Sequence, residues 1–320
     1  MFTFEPTNRC IASLELDDSN IEKLVYLDRE DEVDKDLYNN KDMKFEFIRE
    51  CMKELKKNKH LTRKEEDQLT IAAEENYPPR TGRLKDLYEE LKQIMYREEG
   101  KDLYGKKAKF IPLFLPQKKE KQMHVVNIVG QSGSGKSHFA NQCLQRVVEF
   151  FPESKIFIFS RKDEDEELEK QIEDNIIRIM CDESFLEEPL QIEDLKGTDK
   201  CPNYLVFDDY EKIANPNVRK AVQEFLSAAV EIGRQLNCHI LIIRHELLTG
   251  IKTRSLLSEA TGITIYPNGS PLSQVEDVLE KKMGLNTAQT KRIINLPSRW
   301  VYVSKTRPMH VIYEKGMYIL

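Results

Sequence analysis

The run Gly130-Gln131-Ser132-Gly133-Ser134-Gly135-Lys136-Ser137 has the spacing G-x-x-x-x-G-K-[ST], whose chemistry is phosphate binding. Glycines let successive backbone N–H groups turn inward around an anion, and a helix opening at the loop's end adds its partial positive charge. Lys136 is expected to reach the β- and γ-phosphates of ATP, and the Ser137 hydroxyl to ligate Mg2+. With His138, next along the helix, these residues form the expected cofactor-binding set.

Roughly 70 residues downstream, an apolar run ends in Asp208-Asp209. The first carboxylate is expected to hold the metal through water from the tip of a neighbouring parallel strand. The second is expected to polarise the attacking water as a general base. An Asx turn closing a strand is the structural alternative. Two further groups are candidates for catalysis. Arg234 precedes a buried run at 238–243, where an arginine crosses to a neighbouring subunit's γ-phosphate in ring-forming motors. His245 closes that run and is the candidate phosphate sensor. A salt-bridged surface arginine and a satisfied histidine are the alternatives. Arg161 also follows a strand-like run, but the acidic stretch 163–169 behind it reads as a solvated helix start.

The elements that must position these groups follow from periodicity. Strand-sized apolar runs at 124–129, 155–160, 204–207, 239–243 and 262–266 alternate with helical stretches. Runs apolar on both faces predict a mostly parallel sheet flanked by helices. Short runs at 300–303, 310–313 and 317–320 extend the sheet or add an antiparallel edge. The chain divides into a mainly helical N-terminal region, 1–120, and a P-loop domain, 121–320. Phe45, Ile48, Met52 and Leu55 mark one helical stripe, and Leu84, Leu87, Leu91 and Ile94 another. Thr62 with Glu65 predicts a capping box between them. Residues 110–117, with Pro112 and Pro116, read as an extended linker.

Composition narrows the function classes. A formal net charge of -6 argues against a protein that coats nucleic acid by charge alone. The charge is uneven, since residues 244–320 carry 11 basic and 6 acidic groups, a local excess suited to phosphate backbones. Six scattered cysteines without C-x-x-C spacing point away from zinc and disulfides. No secretory leader or membrane span is expected, and the reading is an intracellular protein.

Six strings together resemble a known family: GQSGSGKS, KIFIFSRKDED, YLVFDDYEKI, VEIGRQLNCHILIIRHEL, KTRSLLSEATGITIYP and SRWVYVSKTRPMHVI. They are similar to the poxvirus-type genome-packaging ATPases of large double-stranded DNA viruses, in the FtsK–HerA branch of P-loop NTPases. The resemblance spans residues 123–315 and leaves the N-terminal region outside it. It implies a RecA-like sheet, a ring-shaped homo-oligomer, and ATP-driven movement of double-stranded DNA into a preformed capsid. Capsid or portal proteins are the implied partners, and the host cytoplasm and the virion the implied locations. By this resemblance Lys136, Ser137, Asp208 and Asp209 form the nucleotide site, and Arg234 falls at the trans-acting arginine. The competing reading is a P-loop regulatory or assembly scaffold protein under nucleotide control. A small-molecule kinase fits poorly, because the stretch after the second strand is acidic where an arginine-rich lid is needed.

Overall fold

The computed structural model describes residues 1–7, 9–16, 22–27, 41–75, 77–98, 101–116, 123–187, 190–198, 200–246 and 257–320. Fourteen strands are assigned among them. They are β1 (Phe2–Thr3), β2 (Cys10–Leu16), β3 (Glu22–Leu27), β4 (Asp102–Tyr104), β5 (Ala108–Pro112), β6 (Val125–Val129) and β7 (Ile156–Ser160). The others are β8 (Ile176–Met180), β9 (Asn203–Asp208), β10 (Cys238–Arg244), β11 (Gly262–Ile265), β12 (Val301–Ser304), β13 (His310–Tyr313) and β14 (Gly316–Ile319). The longer helices are α1 (Lys41–Asn58), α2 (Arg63–Glu74), α3 (Arg83–Glu98), α4 (Lys136–Phe150), α5 (Pro216–Ile232) and α6 (Thr287–Ile294).

Ten strands form one sheet in the order β4-β14-β13-β12-β11-β6-β10-β9-β7-β8. From β11 to β8 every neighbouring pair is parallel. Every residue of β6, β7, β9 and β10 is buried, because helices and loops cover both faces. On one face Val126, Ile128, Ile158 and Val206 pack against Phe139, Cys143, Leu144 and Val147 of α4. On the other, Phe157, Leu205, Phe207 and Ile240 meet Val218, Val222, Leu226 and Ala229 of α5. The α5 residues recur at helical spacing, which puts them in one stripe. Asn215 starts α5 by accepting from the Asn217 N–H at 3.0 Å, with Pro216 at the first helical position. This mostly parallel sheet flanked by helices is the architecture expected from the alternating runs.

The sheet order corrects one expectation. The strand ending in Asp208 does not adjoin the strand that enters the loop. β10 lies between them, pairing Arg244 with Val129 on one side and Ile243 with Asp208 on the other. The tip of β10 therefore sits between the loop and the carboxylates. β8, absent from the expected strands, closes the far edge, with Ile177 exposed.

The last three apolar runs extend the sheet as an antiparallel meander from β11 through β12 and β13 to β14. Its outer neighbour comes from the N-terminal region: β4 pairs with β14. A second sheet, β1-β3-β2-β5, is built wholly from residues before 113. The region expected to be mainly helical thus also supplies five strands, and a boundary at 120 cuts through shared structure. Of the stretch expected as a linker, residues 110–115 are buried instead. Phe110, Ile111, Leu113 and Phe114 belong to the main core, and Tyr204 Oη donates to the Phe114 carbonyl at 2.6 Å. The three helices enclose their own core around Ile48, Leu55, Leu69, Leu87 and Leu91. The Thr62–Glu65 capping box forms, with Thr62 N–H donating to Glu65 Oε2 at 2.9 Å. Among the described residues, no helix is long and apolar enough to cross a membrane.

Candidate functional site

The loop at 130–137 leaves the C-terminal end of β6 and becomes α4 at Lys136. Gly133 and Gly135 have φ of +74° and +98°, a region that penalises any side chain bearing a Cβ. Gly135 caps α4 with no side-chain hydrogen bond, so the first-turn N–H groups keep their capacity for an anion. Lys136 is buried and its Nζ donates to the carbonyls of Gly130 at 2.8 Å and Gln131 at 3.0 Å. Burial lowers its pKa, against the raising influence of the Asp209 and Asp208 carboxylates. Those two carbonyl bonds hold the ammonium over the loop, where a phosphate oxygen is a stronger acceptor.

Lys136, Ser137, Asp208, Asp209 and His245 line one cavity of about 630 Å³, within the size range of small-molecule sites. Asp208 is 3% exposed and accepts from Ser160 Oγ at 3.2 Å, with Lys162 Nζ at 3.6 Å. Burial raises the Asp208 pKa; Lys162 lowers it, and the Asp209 and Asp165 charges raise it further. Asp209 has a left-handed backbone, φ +49°. Its Oδ2 lies 2.7 Å from His245 Nε2, while its buried Oδ1 has no hydrogen-bond partner among the described residues. One oxygen is anchored and the other is left to accept, the arrangement that a water-positioning carboxylate needs.

The structure also supplies groups that sequence reasoning did not assign. Lys162, not Arg161, lines the cavity and pairs with Asp165 Oδ2 at 2.9 Å. The hydrogen bond to Asp165, with the Asp208, Asp165 and Asp209 charges, raises the Lys162 pKa despite an opposing and individually larger effect of burial. Asp165 caps the short helix Glu166–Glu169, as the acidic run predicts, but it also accepts from Ser137 Oγ at 3.4 Å. Arg299, inside one of the strings that carry the resemblance, donates from Nη2 to the Gly133 carbonyl at 3.4 Å. Tyr266 Oη donates to the Gly135 carbonyl at 3.0 Å. Neither Arg299 nor Tyr266 has a local signature, since each reaches the loop across more than 130 positions.

His138 and Arg234 sit differently. His138 is exposed at the rim, 3.3 Å from Glu167 Oε2. Arg234 is exposed and lines a separate cavity of about 500 Å³ with Arg9, Arg307 and Val125. Val125 begins β6 and the loop follows Val129, so Arg234 lies at the opposite end of the sheet. The intervening strand alone spans about 13 Å at the usual rise per residue. Within one chain Arg234 is not brought to the loop.

The oxygen donors present, the Ser137 hydroxyl with the Asp208 and Asp165 carboxylates, suit a hard cation such as Mg2+, which keeps water and phosphate among its ligands. The left-handed glycines and the uncapped helix start suit a triphosphate.

No family model matches the chain. A protein of Sputnik virophage described as uncharacterized protein V3 is 29% identical over 226 residues, covering 68% of this chain and 85% of that protein. Among solved structures, the DNA-packaging ATPase B204 from Sulfolobus turreted icosahedral virus is similar with a TM-score of 0.42 and 13% identity, over 60% of this chain and 97% of that one. The pCW3 conjugation coupling protein TcpA in its monomer form is similar with a TM-score of 0.42 and 11% identity, over 61% of each chain.

Proposed function

We propose that this chain is a magnesium-dependent ATPase that acts as a ring-shaped motor and moves double-stranded DNA into viral capsids. The observation that carries the reading is the convergence of Lys136, Asp208 and the Asp209–His245 pair on one cavity at the mouth of a phosphate loop. In this reading the N–H groups of residues 131–136 cradle the phosphates. Lys136 releases the Gly130 and Gln131 carbonyls and moves onto the β/γ end of the triphosphate. Ser137 and Asp208 would hold Mg2+, which would supply positive charge against the phosphates. Asp209 turns its free oxygen to the attacking water, oriented through His245. Lys162, beside Asp208, offsets the charge of two adjacent acids.

The DNA part of the proposal is supported by the resemblance of residues 123–315, the basic excess of residues 244–320, and kinship with a virophage protein. Arg234, exposed and remote from its own loop, is placed in the role of an arginine that acts on a neighbouring subunit. The deciding experiment measures ATP hydrolysis with duplex DNA, single strands and no DNA across a salt series. Duplex DNA is expected to raise the rate, and the effect to weaken as salt rises. A rate indifferent to DNA under all conditions removes the motor reading and leaves a plain ATPase.

A further inference from the structure

The triphosphate end of the site accounts for its charged walls but not for a second, smaller cavity next to it. That cavity holds about 140 Å³ and is lined by Gln142, Phe139, Tyr266, Trp300, Lys109 and Glu314, together with Gly135, His138 and Arg299. The last three residues also line the 630 Å³ cavity, so the two spaces meet at the end of the phosphate loop.

We propose that the smaller cavity is the base subsite and takes the purine ring of the nucleoside triphosphate. This rests on the nucleotide reading above and goes further by assigning where the base sits and which residues hold it. The walls of the two cavities differ in the way such a division requires. Lys162, Asp165, Glu167, Asp208, Asp209 and Lys212 crowd the larger one, an unfavourable setting for a flat and largely apolar ring. The smaller one offers aromatic walls. Trp300 is 5% exposed and packs on Phe139 with ring centroids 4.6 Å apart. Tyr266 is fixed by its bond to the Gly135 carbonyl. A cavity of roughly 150 Å³ is enough to admit an aromatic ring.

Two polar groups suit the edge and face of a base. The Gln142 amide makes no hydrogen bond among the described residues, and such an amide pairs with adenine through one donor and one acceptor. The Arg299 guanidinium lies 3.2–3.5 Å from the point a Cβ on Gly135 would occupy, at the junction of the cavities. Its backbone is pinned by the Arg299 N–H donating to Glu314 Oε2 at 2.8 Å. A planar guanidinium held there is placed to stack on a ring while facing the phosphates.

The test uses the chain's single tryptophan, Trp300, as reporter. Full-length protein is titrated with MgATP and with magnesium tripolyphosphate, following Trp300 fluorescence and heat. ATP is expected to bind about tenfold or more tighter than tripolyphosphate and alone to shift the emission. Gln142→Ala, and the cavity-filling Gln142→Phe, are expected to weaken ATP about tenfold while leaving tripolyphosphate within about twofold. Thermal unfolding of each variant identifies any that is merely misfolded, and Arg299→Ala provides a third variant from a different element. Equal affinities for the two ligands with a silent Trp300, or Gln142 and Arg299 variants that bind ATP normally, overturn the subsite and leave the phosphate site standing. If wild-type protein binds neither ligand, the nucleotide reading itself fails and the subsite goes with it.

Discussion

His245 Nε2 lies 2.7 Å from Asp209 Oδ2, across the tips of the adjacent strands β10 and β9. The histidine fixes one oxygen of the carboxylate, and the other faces inward without a partner among the described residues. Asp209→Asn keeps the shape and removes the charged acceptor. It is expected to lower turnover by about 10² or more while nucleotide affinity stays near wild type. His245→Ala should lower turnover less, because the acceptor remains and only its orientation is lost. Separate determination of kcat and of ATP affinity checks both. Normal hydrolysis by Asp209→Asn removes the assigned role.

Arg234 shares its cavity with Arg9 and Arg307 at the far end of the sheet from the loop. A role in hydrolysis therefore requires a second copy. Arg234→Ala is expected to silence assembled protein, as is Lys136→Ala, yet a mixture of the two should regain activity by pairing an intact loop with an intact arginine. Mixed assemblies that stay inactive would identify a structural arginine instead.

Arg292 ties the N-terminal helices to the ten-stranded sheet. From α6 its Nη2 donates to Gln93 Oε1 at 2.8 Å and Asp102 Oδ2 at 2.9 Å, and its guanidinium lies 3.6 Å from the Tyr318 ring centre. Arg292→Ala leaves a largely buried Asp102 without its cation, so a loss of about 2 kcal/mol is expected. Arg292→Lys should recover only part, since an ammonium cannot bond, pair and stack at once. Urea unfolding monitors the change, and an unaltered midpoint in Arg292→Ala would count against the tie.

Three buried histidines predict acid sensitivity. Burial pushes His124 and His310 down to about 4 and holds His239 well below its ordinary value. His124 holds its place as a neutral ring, its Nε2 bonded to the Leu115 carbonyl at 2.9 Å and its backbone N–H donating to His239 Nδ1 at 3.0 Å. In the unfolded chain these rings take up protons near the ordinary histidine value; in the fold they resist. Stability is therefore unaffected by them above about pH 6.5 and falls as pH drops towards 4, by on the order of 3 kcal/mol for each of His124 and His310. Unfolding midpoints between pH 7.5 and 4.5 measure the slope. A His310→Leu variant should show a shallower one, and an identical slope would contradict the assignment.

The phosphate loop, the acid pair and the alternation of buried runs were all legible along the chain, because each depends on neighbours within a few positions. Spacing fixes which amides point inward, and period fixes which faces are apolar. What the sequence alone did not decide was which strands lie side by side. β10 comes between β6 and β9 through pairing across 115 positions on one side and 35 on the other, and that insertion brings His245 to Asp209. Arg299 and Tyr266 reach the loop through the same long-range packing, and β4 joins N-terminal residues to a sheet whose other strands all lie after residue 124. Hydrogen bonds between strands carry no signature in either strand's own residues, so the order of the sheet, and every contact that depends on it, was settled by tertiary structure.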